Sequence, residues 1–234
     1  MYEGIQARDA KAGVRRVKVF DNAVNRFIAG HPNCAVVNLA CGFDTRFWRI
    51  EHEKCKYFEI DLPEVIQLKK ELLKEQPGYE MIGCSVLDTS WIDKVTRAGN
   101  TNFLLLAEGL FMWLPQAEAV GLFKTIGERF SQSQLVLDMV PEKYTRGIWQ
   151  QLMRLHSRID WGLDVAWVFG IKQAQEIALG DGALAFGFRI RRIVRRPDVV
   201  KLHVEDEGRS AFAFQRGRLV CRLVCRRVCR LVCR

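Results

Sequence analysis

The run Ala35-Val36-Val37-Asn38-Leu39 decides the fold, because it is short, mostly apolar and contains two β-branched valines. Such a run predicts a strand that is buried on both faces. The turn Ala40-Cys41-Gly42 comes directly after it. Small residues at positions 40 and 42 allow a ligand to approach the backbone closely. The sequence therefore predicts a buried strand that ends in a turn suited to ligand binding.

Further strands and helices alternate along the chain on both sides of this run. The apolar patterns predict helices over 17–29, 64–74 and 115–130, and strands over 56–61, 79–84, 103–107 and 134–140. Strands that alternate with helices predict an α/β fold, with a mostly parallel sheet and helices on both faces. Beyond residue 140 the pattern weakens, with a helix predicted over 144–157 and late strands over 185–196 and 210–215.

Acidic residues lie at the ends of two of these strands, where open parallel sheets bind their ligands. Asp61 ends the second strand, 19 residues after Gly42, which is about the spacing of the ribose-binding acid in nucleotide-binding βαβ units. A carboxylate only accepts hydrogen bonds, and a vicinal diol offers two donors. Glu108 ends the fourth strand, beside Gly109. Together these features favour a nucleotide-like ligand.

Each feature also has a purely structural alternative. Gly42 could form an ordinary strand–helix turn, and Asp61 could cap the next helix. Glu108 could be a solvated acid at a strand end. Arg16 stands among other cationic residues, so it could belong to a solvated helix face.

The charge of the chain is concentrated at one end. Of the net charge of +9, residues 216–234 contribute seven arginines and no acid, so the rest of the chain is nearly neutral. This segment repeats Arg-Leu-Val-Cys, which predicts one domain over 1–215 and a low-complexity tail over 216–234. The tail leaves open a basic nucleic-acid-binding module, although no specific nucleic-acid partner is expected. Its cysteines form no Cys-x-x-Cys pair and no histidine joins them, so no metal site is expected.

The chain contains no apolar run near the ~20 residues that a transmembrane helix needs. Residues 1–16 also lack the apolar stretch of a secretory signal. We therefore expect a cytoplasmic protein without a membrane partner.

Three segments carry a family resemblance. They are Val37-Asn38-Leu39-Ala40-Cys41-Gly42-Phe43-Asp44-Thr45-Arg46, Phe58-Glu59-Ile60-Asp61-Leu62-Pro63 and Ala107-Glu108-Gly109-Leu110-Phe111-Met112-Trp113-Leu114-Pro115. Together they resemble the leucine carboxyl methyltransferases and their bacterial relatives, the tetracenomycin-type polyketide O-methyltransferases. The likeness runs from about residue 16 to about residue 173. It implies a Rossmann-like methyltransferase fold and S-adenosyl-L-methionine as cofactor.

The resemblance also implies cofactor-binding roles for seven positions. These are Arg16 at the methionine carboxylate, Ala40 and Gly42 at the backbone turn, Asp61 at the ribose hydroxyls, Ser85 and Val86 at the adenine, and Glu108 near the amino group and the sulfonium. The chain departs from the family pattern at two of them. Ala40 stands where the family has glycine, and Ser85 stands where it has an acid.

The implied activity is O-methyl transfer to a carboxylate or hydroxyl of a small, polyketide-like molecule or of a protein C-terminus. A carboxylate acceptor needs no general base, whereas a hydroxyl does. Tyr144 and His156 are the nearest candidates for a base in the sequence, and neither is assigned as catalytic. Alternatives are a nicotinamide-dependent oxidoreductase, disfavoured because the turn lacks a third glycine, and a degenerate relative that binds the cofactor without turnover.

Overall fold

The structure is a computed structural model that describes residues 7–130, 133–171, 189–196, 199–205 and 210–215. Its main feature is a parallel sheet of five strands in the order β3-β2-β1-β4-β5. The strands are β1 (Cys34–Leu39), β2 (Cys55–Asp61), β3 (Tyr79–Gly83), β4 (Asn102–Ala107) and β5 (Ser133–Leu137). The helices are α1 (Ala7–Gly30), α2 (Pro63–Leu72), α3 (Ser90–Thr96), α4 (Gln116–Arg129) and α5 (Gly147–Trp161).

The apolar run that contains the two valines forms the central strand. All six residues of β1 are buried, and β1 pairs in parallel with β2 on one side and β4 on the other. The strand order reverses between β1 and β4. In open α/β sheets this reversal creates a crevice beyond the carboxyl ends of the strands, where ligands bind.

Helices cover both faces of the sheet, as predicted. On one face, Phe20 of α1 and Ile66 of α2 pack with Val36 in one hydrophobic cluster. On the other face, Trp91 of α3 and Phe123 of α4 pack in a second cluster. Neighbouring residues of β1 point to opposite faces, so one short apolar strand contributes to both clusters. The α/β class with a mostly parallel sheet is confirmed.

The predicted strands and helices of this region are present, with shifted ends. The predicted helix over 17–29 begins ten residues earlier, at Ala7, and the strand predicted over 134–140 ends at Leu137. Helix α3 was not predicted, because seven residues are too few to show a helical period. The helix predicted over 144–157 is a short 3-10 turn over Glu142–Thr145 and then α5.

Three later strands form a separate antiparallel sheet in the order β6-β7-β8. They are β6 (Arg189–Arg196), β7 (Val199–Glu205) and β8 (Ser210–Gln215). Strands β6 and β8 were predicted, and β7 was not. The tail over 216–234 lies outside the described residues, so the domain division at residue 215 stays a prediction.

Within the part of the chain that the structure describes, no helix has the length and apolar character needed to cross a bilayer.

Candidate functional site

The turn after β1 has an unusual backbone. Ala40 and Gly42 both adopt left-handed conformations, with φ of 51° and 50°. This region costs a residue with a side chain about 1–2 kcal/mol. The glycine that the family has at position 40 is therefore explained, because the backbone there does require positive φ. A Cβ added at Gly42 would meet no atom within 4 Å, so the turn has an open face at this residue.

Asp61 holds this turn through its carboxylate. One oxygen accepts a hydrogen bond from the Gly42 amide at 2.7 Å, and the other accepts one from the Leu62 amide at 2.8 Å. Burial raises the pKa of Asp61, and these two amides act in the opposite direction. A carboxylate oxygen accepts two hydrogen bonds, so each oxygen keeps acceptor capacity for a hydroxyl. Leu62 is the N-cap of α2 and no side chain caps it, so Asp61 does not play the predicted alternative capping role.

Ser85 and Val86 come after β3, which lies beside β2 in the sheet. The backbone amide of Cys84 donates to the Asp61 carbonyl at 2.8 Å, which ties this segment to the Asp61 end of β2. The Ser85 hydroxyl accepts from the Leu87 amide at 3.2 Å. The Val86 side chain is buried in the core, and its carbonyl accepts from the Trp91 indole at 3.1 Å.

Arg46 lies at the centre of a buried ion network. Its side chain is fully buried and pairs with three carboxylates, at 2.7 Å from Asp21, at 2.6 Å from Glu108 and with Asp44. Burial opposes its charge, but these carboxylates raise the pKa of Arg46 above the ordinary value of arginine. The network joins α1 to the carboxyl ends of β1 and β4.

Glu108 also pairs with Arg16, which reaches it from α1. The Arg16 guanidinium lies 3.1 Å from Glu108 and 2.8 Å from Asp138, just after β5. The other oxygen of Asp138 accepts from the Gly109 amide at 2.6 Å. Neither Arg16 nor Glu108 is therefore the solvated surface charge of the structural alternative.

Among the described residues, the ion pairs of this site contain more carboxylates than guanidiniums. Three guanidiniums, those of Arg16, Arg46 and Arg49, face four carboxylates, those of Asp21, Asp44, Glu108 and Asp138. One negative charge is left over, before Asp61 is considered. A charge balance of this sign favours a cationic ligand.

The structure places all seven predicted residues around the carboxyl ends of the strands, in two groups. Gly42 and Asp61 are hydrogen-bonded, with Ala40, Ser85 and Val86 on the adjoining turns, while Arg16 and Glu108 form an ion pair. The binding roles implied by the resemblance stay predictions.

Sequence reasoning missed five members of the network, one of which is Arg49. Arg46 and Asp44 stand in the Asp-Thr-Arg segment after the first turn, so a signal for them existed. Asp138 was hidden inside a strand predicted to run to residue 140, and it comes directly after the true end of β5. Asp21 lies on α1, 25 residues before Arg46 in the sequence, and no pattern singles it out.

The two candidates for a base lie on later elements of the chain. Tyr144 packs edge-to-face against Trp149 and Trp167, with ring centroids 5.9 Å and 6.2 Å away. Trp113, beyond the end of β4, packs against Trp167 at 6.4 Å. His156 lies on α5. Among the described residues, no three or more His, Cys, Asp and Glu side chains are grouped to hold a metal ion.

Comparisons with known proteins agree with the fold and the motifs. A family model described as leucine carboxyl methyltransferase matches residues 5–127, over half of the chain. The tetracenomycin polyketide synthesis O-methyltransferase TcmP of Streptomyces glaucescens is 31% identical over 159 residues, which are 67% of this chain and 58% of that protein. Leucine carboxyl methyltransferase 1 of Rattus norvegicus is 23% identical over 135 residues, 44% of this chain and 41% of that protein. The chain thus spans little more than half the length of TcmP, and less of the rat protein.

Solved structures show the same fold. A SAM-dependent methyltransferase from Anabaena variabilis matches with a TM-score of 0.53 and 13% identity, over 86% of this chain and 82% of that one. Magnesium protoporphyrin IX methyltransferase from Synechocystis PCC 6803 matches with a TM-score of 0.51 and 15% identity, over 83% of both chains.

Proposed function

Because the chain belongs to the leucine carboxyl methyltransferase family, we propose that it is an S-adenosyl-L-methionine-dependent O-methyltransferase. One observation carries the proposal. The turn after β1 is open at Gly42, and its amide is bonded to Asp61, whose oxygens keep acceptor capacity. A vicinal diol of the ligand would donate to this carboxylate, and the next part of the ligand would lie against the open face of Gly42.

The residues present fit the cofactor by charge and by hydrogen bonding. Asp61 would accept from the ribose hydroxyls, and the backbone at Ala40 and Gly42 would lie against the ligand. Ser85 and Val86 would line the adenine. A sulfonium ligand with an ammonium and a carboxylate is a net cation, which the net negative charge of the network favours.

Arg16 and Glu108 would bind the amino acid part of the cofactor. The Arg16 guanidinium offers five N–H donors in a fork that matches a carboxylate. In the structure it faces Glu108 and Asp138. A ligand carboxylate would share this guanidinium, and a ligand ammonium would compensate Glu108.

The proposed reaction is a direct displacement at carbon. When bound, the cofactor supplies a methyl group activated by a sulfonium. Asp61, Arg16 and Glu108 would hold the cofactor, whose methyl carbon would pass to the acceptor oxygen with the neutral thioether as leaving group. The contribution of the protein is to align the two reactants and to exclude water. A carboxylate acceptor requires no general base.

We infer that the acceptor is a small molecule with an apolar, ring-containing body. The rings of Trp113, Tyr144 and Trp167 pack together beyond the carboxyl ends of β4 and β5. Flat rings bind well against such side chains. The similarity to a polyketide O-methyltransferase supports a small-molecule acceptor rather than a protein C-terminus.

The alternatives have less support. Family membership does not favour the nicotinamide-dependent oxidoreductase. The nucleic-acid module depends on residues 216–234, which lie outside the described part of the chain. The cytoplasmic location expected from the sequence stays a prediction.

A methyl-transfer assay tests the proposal. The full chain is incubated with methyl-labelled S-adenosyl-L-methionine and a panel of aromatic carboxylic acids, phenols and peptides ending in leucine. We expect label in a small aromatic product, as a base-labile ester if the acceptor is a carboxylate. Label only in the peptides would contradict the small-molecule acceptor. Cofactor binding without transfer to any compound would identify a degenerate relative.

A further inference from the structure

A second cluster of buried charge lies beneath the turn after β1, and the proposed reaction does not use it. Lys69 of α2 and Glu59 of β2 are both fully buried, and their charged groups lie 2.6 Å apart. The Tyr79 hydroxyl donates to the same Glu59 oxygen at 2.6 Å. Burial raises the pKa of Glu59, while Lys69 and Tyr79 act in the opposite direction.

The Lys69 ammonium has three N–H donors, and the structure provides three acceptors. Besides Glu59, these are the Asp44 carbonyl at 2.8 Å and the Cys41 sulfur at 3.7 Å. This set matches the donors one to one, so none is left for a ligand. Lys69 therefore acts on other protein groups and not on a cofactor.

Two of these acceptors lie at the two ends of the same turn. The Asp44 amide donates to the Cys41 carbonyl at 3.0 Å, which closes the turn around Gly42. The Lys69 ammonium contacts both Cys41 and Asp44, which are the end residues of this turn. A single buried ammonium thus links the turn to α2 and, through Glu59, to β2.

This turn requires such support. Ala40 and Gly42 both have positive φ, and strained backbone persists only where its surroundings enforce it. The Gly42 amide must also point at Asp61 for their 2.7 Å hydrogen bond to form. Any relaxation of the turn would move the amide away from the carboxylate.

We propose that Lys69 is a positioning residue for cofactor binding, which holds both ends of the turn so that Gly42 stays directed at Asp61. The inference rests on the proposed function, since it names the support of that same site. The competing explanation is that Lys69 only neutralises the buried charge of Glu59. The two explanations predict different affinities for a protein that has lost both charges.

Three variants separate these explanations. Glu59→Gln keeps the Lys69 donors on the turn but leaves a buried ammonium without its carboxylate. The double variant Lys69→Met/Glu59→Gln removes both buried charges and also the donors. Lys70→Met is the matched control, because Lys70 is the next residue of α2 and makes an exposed pair with Glu75 at 3.0 Å.

We expect the double variant to be more stable than Glu59→Gln but to bind the ligand more weakly. The double variant should melt at a higher temperature than Glu59→Gln, because removing a buried pair costs less than breaking one. Its dissociation constant for S-adenosylhomocysteine should nevertheless rise about tenfold, whereas Glu59→Gln should stay within about threefold of the unaltered chain. The control should change neither property. An affinity that recovers together with stability in the double variant would overturn the proposal.

Amide hydrogen exchange gives a readout that needs no ligand. The amides of residues 40–46 should exchange faster in the double variant and at an unaltered rate in Glu59→Gln. The exchange rate of residues 103–107 of β4 should be the same in all the variants. If the unaltered chain does not bind S-adenosylhomocysteine, the proposed function fails and exchange alone decides the role of Lys69. Unchanged exchange over 40–46 in the double variant would overturn that role.

Discussion

Asp61 and Glu108 lie on either side of the central strand, at the ends of β2 and β4, and their carboxylates have partners of different kinds. Asp61 is bonded to the backbone amides of Gly42 and Leu62. Glu108 lies between the guanidiniums of Arg16 and Arg46. One half of the site is thus built from hydrogen bonds to the backbone, and the other from buried charge.

This difference matches the two halves of an S-adenosyl ligand. A nucleoside is neutral and offers hydroxyl donors, which a carboxylate fixed by amides can accept. An amino acid is a zwitterion, which requires paired charges of both signs that are already in place. The two halves of the site should therefore respond differently to substitution and to pH.

The largest effect is expected at Arg46. Replacing it with leucine leaves three carboxylates without their shared cation, and breaking a buried pair costs about 3–5 kcal/mol. Arg49 is the matched control, since it contacts Asp21 and Asp44 but its side chain is 34% exposed. Arg49→Leu should cost at most about 1 kcal/mol. Urea unfolding measures both values, and equal losses would contradict the central role of Arg46.

A smaller effect is expected at Gly109, which limits the position of Arg16. Gly109 has φ of 74°, and a Cβ there would lie 2.8 Å from the Arg16 guanidinium. Gly109→Ala should therefore destabilise the fold by about 1–2 kcal/mol from backbone strain alone, and should weaken S-adenosylhomocysteine binding by moving Arg16.

Gly121→Ala is the control for that substitution. Gly121 lies on α4, and a Cβ there meets no atom within 4 Å. The control should gain about 0.5–1 kcal/mol, as glycine is unfavourable inside a helix. Thermal melting with and without ligand measures both variants. Unaltered ligand affinity in Gly109→Ala would show that Arg16 does not bind the ligand.

The half of the site that contains Asp61 should give ligand binding a distinctive pH dependence. Burial raises the pKa of Asp61, so its charge is lost at a higher pH than that of an ordinary aspartate. Since the charged form accepts the ribose hydroxyls, affinity should fall as the pH drops through this raised pKa. Protonation of Asp61 itself favours the folded state, because burial penalises its charge, so this loss of affinity is not a loss of folding.

Titration of S-adenosylhomocysteine from neutral to acidic pH measures this dependence, with thermal melts as the control for folding. Asp61→Ser retains an oxygen at this position but has no charge to lose, so its affinity should vary less over the same range. An identical pH profile in both proteins would assign the dependence to another group.

The central sheet was predictable because its signal is local. The strands β1 and β4 are short and mostly apolar runs, and burial on both faces of a parallel strand produces that pattern in the sequence alone. Helix α3 was missed because it is too short to show a period. Strand β7 was missed although apolar and polar residues alternate from position 200 to position 205.

The site was predictable only in part, for a related reason. Residues at strand ends, such as Asp61 and Glu108, can be located once the strands are known. The ion network also depends on contacts across the fold, such as that of Arg46 with Asp21, 25 residues away. Lys69 resembles any lysine on an amphipathic helix, and only its complete burial distinguishes it from Lys70.

Calorimetric titration of the full chain with S-adenosylhomocysteine tests the central claim most directly. We expect saturable binding to the unaltered protein, and at least roughly tenfold weaker binding to Asp61→Ala, or about 1.4 kcal/mol. Absence of heat and of thermal stabilisation at millimolar ligand would contradict the claim, as would equal affinity in the two proteins.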